Sequence, residues 1–511
     1  MKKAKLILLL GVLVTAGGAA SLDWTSFPAA QSEQDKQSVN LVIRNGRVMD
    51  PETRTDAVLA VAVDQGRIIA LGPEAEALQG RSEIDARGLV VAPGFIDLLA
   101  RLTPDKESQR YKVMDGVTAV FNMHGGPVDI PGYFESFAQA GGSYIHYGTT
   151  VGHNPLRRAV DASDRNEPAT PEQILRMKSL AAQAIGEGAV GVGFGVNYVP
   201  GASYEEVLAL FEVAAEHGVP CHLHVRYKGS IFPETIVAAL QEVITAAAVT
   251  GASAQVVHLG SSAVGSMDVA LKMIDGARRH GIDITADVYP YLANSTNLAS
   301  AIYEPGWEER FGGITYSDIQ LVETGERLTK ETFEKYRKEG AQIITHFIPE
   351  EEVIAAYQNP HVLVASDGII RRGKGHPRGA GAFARFLGRY VREKKTVLLM
   401  EGLRKITLLP AQRLERAAPA MKRKGRVQVG ADADLTLFDP DTIIDRATYE
   451  NPAQYSTGIH YVLVNGVVVV DQGMLVEHLK PGRAIKYESV CNFRPVSKRL
   501  RPAGNQSEID R

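Results

Sequence analysis

Residues 203–225 read SYEEVLALFEVAAEHGVPCHLHV. The first sixteen place apolar side chains at helical spacing and end on Gly218, a residue that stops helices by adopting left-handed backbone angles. A short apolar run, PCHLHV, follows at once. A helix feeding a buried strand is half of a βα repeat. The chain repeats this pattern in both directions. TPEQILRMKSLAAQAIGEG (170–188) precedes AVGVGFGV (189–196), and AQVVHLG (254–260), DITADVYPY (283–291) and HVLVASDG (361–368) are further apolar runs between amphipathic segments. Strand-like runs alternating with helices argue for a parallel sheet. Over about 320 residues they predict an α/β fold, a (β/α)8 barrel of the TIM type spanning 93–418. Residues 297–345 break the alternation and read as an insertion near the barrel mouth.

The flanks differ. NLVIRNGRVMD (40–50) and DAVLAVAVDQGRIIALG (56–72) are β-rich, and Asn-Gly and Gln-Gly pairs punctuate them as tight hairpins require. DADLTLFDPD (432–441) and IHYVLVNGVVVVDQG (459–473) repeat the style. Residues 39–92 and 419–482 are therefore expected to form one small β-sandwich built from both chain ends, with 483–511 a polar tail.

The chain has 511 residues, 45% hydrophobic and 23% charged, with net charge −3. This is ordinary globular composition without the basic surplus of a nucleic-acid protein. Two distant cysteines, Cys221 and Cys491, argue against a disulfide framework. MKKAK followed by LILLLGVLVTAGGAA has the layout of a signal peptide over 1–20, with a polar linker at 21–38. The expected location is extracytoplasmic, periplasmic or secreted, with no membrane insertion after cleavage; the alternative is a tether by an uncleaved anchor.

Functional groups of such barrels stand at the C-terminal ends of strands. Three strand ends here carry metal-binding or acid–base chemistry. PCHLHV presents His222 and His224 two residues apart, on one strand face. AQVVHLG presents His258, and HVLVASDG presents Asp367. Two imidazoles and a carboxylate at one mouth suit Zn²⁺, with the carboxylate as ligand or base. His124, in GVTAVFNMHGG (116–126), is a third candidate ligand or a loop histidine. His153 could be a ligand, a supporting donor or a structural residue. Arg378, in GHPRGAGAFARF (375–386), could clamp a carboxylate with two parallel hydrogen bonds. Tyr198, Tyr289, Tyr291 and Ser295 offer hydroxyls, and Arg226 and Lys228 add positive charge near the mouth. The set suits an anionic substrate.

These motifs resemble the amidohydrolase superfamily, and within it the D-aminoacylase branch of N-acyl-D-amino-acid deacylases. VVAPGFIDL (90–98), VGHNPLRRAV (151–160), GHPRGAG (375–381) and the long run KGRVQVGADADLTLFDPDTIIDRATYENPAQYSTGIHYVLVNG (424–466) carry the likeness. GHPRGAG is most similar to deacylases of N-acyl-D-glutamate. The resemblance implies hydrolysis of the amide of a small N-acyl-D-amino acid by a metal-activated water. It implies metal binding by His224 and His258, catalysis by Asp367, and a substrate carboxylate held by Arg378 with Tyr198, Tyr289 and Ser295. Three departures fall on the chemistry. PGFIDLLARL (93–102) has Leu99 and Arg101 where the family has His-x-His. The family's metal-binding Cys is replaced in NMHGG, where His124 is one place off. Leu259 and Gly260 stand where His-Lys often follows. The expectation is a mononuclear zinc enzyme on His224 and His258, with His124 as third ligand. The rival is an inactive or altered binding protein on the same scaffold, with Arg101 supplying a fixed charge or pairing with Asp97.

Overall fold

The computed structural model describes residues 38–489 except Phe232. The leader, most of the linker, Cys491 and the last 22 residues lie outside the described residues. Among the described residues no helix is long and apolar enough to cross a membrane.

Eight strands run parallel around the barrel. They are Phe95–Asp97, Val117–Asn122, His146–Thr149 continued by Val151–Gly152, Val192–Gly195, Cys221–His224, Ala254–Val256, Ile284–Val288 and Val362–Val364. The last is tied back to the first: Asp367 N–H donates to the Leu99 carbonyl at 2.6 Å, and Ser366 N–H to Asp97 Oδ1 at 3.1 Å. Nearly every strand residue is buried, as expected of a sheet covered by helices outside and packed side chains inside. The helices begin and end where their caps require. Tyr204–His217 starts with the Ser203 hydroxyl accepting from Glu206 N–H at 3.1 Å and stops at Gly218 with φ 68°. Pro171–Gly186 opens on a capping box between Thr170 and Gln173.

Residues 293–346 leave the alternation and form their own three-stranded antiparallel sheet. Gln342–His346 lies between Ala293–Asn297 and Ile319–Leu321. Tyr303, Trp307, Phe311 and Phe333 give this unit a separate aromatic core.

Both chain ends enter one nine-stranded sheet, joined where Leu435–Phe438 pairs antiparallel with Val90–Pro93. Strand alternation buries both faces: Leu41 and Ile43 pack on one side, Val42 and Ala62 on the other. Gln65-Gly66 and Asn465-Gly466 are two-residue turns with positive φ at both positions, as hairpins require. Asn45-Gly46 is not a hairpin. It is a bulge inside Ser38–Asp50, with Asn45 at φ 61°, because the chain on both sides pairs with the same neighbour, Thr55–Asp64. The reading of a tail beginning at 483 is also corrected. Ile485 is buried and its N–H bonds the Tyr147 carbonyl at 2.8 Å, so residues 482–488 lie along the barrel wall.

Candidate active site

His224 and His258 come from the ends of neighbouring strands and meet: His224 Nδ1 lies 3.0 Å from His258 Nε2. Both side chains are buried. His258 sits at φ 40° and ψ 49°, a left-handed conformation that a non-glycine residue adopts only when its surroundings enforce it. Its N–H donates to Asp287 Oδ1 at 2.7 Å, and Gln255 donates to the other Asp287 oxygen at 2.6 Å. Ser261 and Ser262 place hydroxyls 3.3 and 3.4 Å from His258 Nδ1. The ring is thus held from behind, and its Nε2 meets His224.

Burial pushes the His258 imidazole down to about 3, with Lys228, His124 and Arg378 acting the same way and Asp367 opposing them. His224 is held well below its usual range by burial and then by Lys228. His124 is pushed down to about 3 by burial, Arg101 and Arg378. All three are neutral at pH 7, the form that binds a metal. His224 Nε2 is buried with no hydrogen-bond partner, a lone pair or proton with nothing to meet.

Asp367 also stands at a positive φ, 51°. Its carboxylate pairs with the Arg378 guanidinium, Nη2 to Oδ2 at 2.8 Å. Arg378 stacks over the Tyr289 ring, 4.4 Å from its centroid, and its Nε and Nη1 are buried without partners, as is the Tyr289 hydroxyl. Tyr198 lays its ring edge-on to His224, centroids 4.7 Å apart, and its hydroxyl bonds Thr296 at 3.1 Å. Lys228 is half-buried beside Asp367 and Arg378, and desolvation lowers its ammonium to about 8.

The other sequence-derived candidates fall elsewhere. His124 stands off, with its ring 6.4 Å from His224 and 6.2 Å from His258. Ser295 contributes only its carbonyl, 3.4 Å from Arg378 Nη2; its hydroxyl makes no hydrogen bond, because the residue lies in the insertion sheet paired with Ile344. His153 is structural: its ring bonds the buried Glu206, which Arg157 grips at 2.6 and 2.8 Å. Arg226 is spent on Glu242, at 2.8 and 3.0 Å. Tyr291 donates to Asp445 at 3.0 Å. His222 shares the face of His224 one layer deeper and bonds nothing.

The place of the missing His-x-His is filled. Leu99, Val257 and Ala365 form an apolar plug, each at most 1% exposed. Arg101 is exposed and does not pair with Asp97. The partner of Asp97 is Lys112, which motif reading missed. Lys112 Nζ lies 3.0 Å from Asp97 Oδ2 and 2.6 Å from the Ser366 hydroxyl, which itself donates to Asp97. Lys112 comes from the helix Lys106–Val113, where nothing in the local pattern marks an inward lysine. Asp287 was missed as well, although it is the carboxylate nearest the C-terminal end of the Ile284–Val288 strand.

The donor set fits a metal at one position and not at the other. An apolar plug offers a cation nothing. The two neutral imidazoles offer nitrogen donors, and His124 is the nearest third nitrogen. Among the described residues no three His, Cys, Asp or Glu side chains already form a cage.

The amidohydrolase family model matches residues 135–470. An N-acyl-D-glutamate deacylase of Alcaligenes xylosoxydans xylosoxydans is 31% identical over 505 residues, 89% of this chain and 98% of that one. A D-aminoacylase of the same organism is 31% identical over 484 residues, 86% and 96% of the two chains. The crystal structure of N-acyl-D-glutamate deacylase from Bordetella bronchiseptica, complexed with zinc and a phosphonate inhibitor, superposes with TM-score 0.75 at 29% identity, over 88% of this chain and 100% of that one. The barrel with paired histidines, an acid and a buried arginine at its mouth belongs to the amidohydrolase family, in its D-aminoacylase branch.

Proposed function

We propose that this protein hydrolyses the amide of an N-acyl-D-amino acid, releasing a carboxylic acid and a free D-amino acid. One observation carries the reading. Arg378 is 4% exposed, yet two of its nitrogens lack partners, beside Asp367 and the histidine pair. A buried guanidinium with unmet donors is a carboxylate site. Tyr289 and Tyr198 border the same space.

His224 and His258, with His124 nearest as third ligand, would hold a zinc ion, which when bound would supply Lewis acidity toward the amide carbonyl and activate a water. About one ion per chain is proposed, since the plug at Leu99 removes the other position. Asp367 accepts the water's proton and returns it to the leaving nitrogen. Arg378 holds the substrate carboxylate, and with Tyr289 orients the scissile bond. Asp287 keeps the His258 backbone in its left-handed conformation. An acidic side chain on the D-residue is supported by the cationic surroundings, Lys228 and Arg101. A leader over 1–20 supports action outside the cytoplasm; N-terminal sequencing of the mature protein from fractionated cells tests that.

The decisive experiment measures zinc per chain together with turnover of N-acetyl-D-glutamate, neutral N-acetyl-D-amino acids and their L-isomers. Zinc with D-selective turnover is expected. A folded protein with neither overturns the reading.

A further inference from the structure

Both two-donor edges of a guanidinium include Nη2: one edge is Nη1 with Nη2, the other Nε with Nη2. In this protein Asp367 occupies Nη2 of Arg378 at 2.8 Å, and the Ser295 carbonyl leans on the same atom at 3.4 Å. The remaining donors, Nε and Nη1, are buried and unpartnered, and they do not share an edge. Nη2 carries two N–H bonds, one on each edge, and Asp367 and the Ser295 carbonyl engage them between them. An incoming carboxylate can take Arg378 through two parallel hydrogen bonds only by displacing one of the two, and because the carbonyl is fixed in the insertion sheet, the Asp367 side chain is the one that can move. An Asp367 oxygen spent on Arg378 is in turn less available as a base.

We propose that the Asp367–Arg378 ion pair is a latch that the substrate's own carboxylate opens, so that recognition of the carboxylate releases the catalytic base. The surroundings allow this motion and little else. The Asp367 backbone is pinned by its N–H on Leu99, and its neighbour Ser366 is fixed by Asp97 and Lys112. Only the side-chain torsions of Asp367 are free. Displaced from Arg378, the carboxylate still has the Lys228 ammonium and the His258 ring within electrostatic reach. The exchange replaces one charge-assisted contact on Arg378 by another. A neutral analogue has nothing to trade and leaves the latch closed.

The proposal rests on the deacylase reading, and its test separates the two. The purified metal-loaded enzyme is assayed for acetate release from its best N-acetyl-D-amino acid and from the primary carboxamide of that compound. The latch requires the carboxamide to lose at least about 100-fold in kcat at saturation, not only in KM. It also requires Arg378→Gln to turn over the carboxamide faster than the wild type does, while its KM for the acid rises. Equal kcat for acid and carboxamide, or no gain in Arg378→Gln, overturns the latch. If no substrate is turned over at all, calorimetry still decides. Asparagine tolerates the positive φ of residue 367, so Asp367→Asn keeps the backbone and removes the competing charge. It should bind the N-acetyl-D-amino acid at least about tenfold more tightly than the wild type; equal or weaker binding overturns the proposal.

Discussion

The barrel mouth has two halves, and they solve different problems. In one, Leu99, Val257 and Ala365, from the ends of the first, sixth and last strands, pack dry, and beneath them Asp97, Lys112 and Ser366 satisfy one another. In the other, His224 and His258 touch but leave a buried nitrogen unmet, and Arg378 keeps two donors unpaired. The first half is complete as protein. The second is incomplete, and unsatisfied buried groups cost free energy unless a ligand meets them. The contrast teaches how packing divides the mouth: under the proposed function, the half that packs well is scaffold, and the half that leaves buried groups unmet is the site.

Four changes test that division. The largest effect is expected from the reactive half: Asp367→Asn should reduce kcat, measured on folded protein, by about 10²–10⁴-fold, the usual contribution of a general acid–base, and should lower the thermal transition because Arg378 loses its ion-pair partner. Retained turnover would falsify the assignment of the base. Lys112→Met should act oppositely. It strands the Asp97 carboxylate in the interior, so stability should fall by about 3–5 kcal/mol in denaturant unfolding, and any loss of activity should follow the loss of folded protein.

Next, the double change Leu99→His with Arg101→His recreates the family's pair by sequence. Against Val257 and Ala365 a buried imbalance of about 1–3 kcal/mol is expected, with zinc content no higher than wild type; a second equivalent of zinc would show that Leu99 alone, and not Val257 and Ala365 with it, excludes the metal. The mildest test uses a second buried acid–lysine cluster away from the mouth. Burial alone would raise the Asp434 carboxyl, but His146 and Lys424, the latter touching it directly, hold it well below the usual range. A carboxyl depressed in the native state stabilises fully above its unfolded value near 4 and loses that contribution as pH falls further. The urea midpoint should therefore drop below pH 4, and Asp434→Asn should flatten that fall while lowering the midpoint at neutral pH.

Much of this was legible in one dimension. Helical and strand periods with glycine stops specify the alternating units, because those periods are properties of the local backbone. His224, His258, Asp367 and Arg378 could be found because strand ends in such barrels converge on one mouth. The absence of His-x-His at 99 and 101 was equally visible. Other features needed the folded chain. Asn45-Gly46 carries the same dipeptide as the 465–466 hairpin turn, yet it forms a bulge, since pairing on both sides, not the dipeptide, decides which one forms. Residues 482–488 look like a polar tail until Ile485 finds its groove. The sequence alone determined which residue types stand at the mouth. Only the tertiary structure decided that Leu99 meets Val257 and Ala365, that Asp97 takes Lys112 rather than Arg101, and that Asp367 lies on Arg378. Those contacts join residues from 11 to 266 positions apart, and a choice among several partners of like charge depends on distance and desolvation, which no linear pattern encodes.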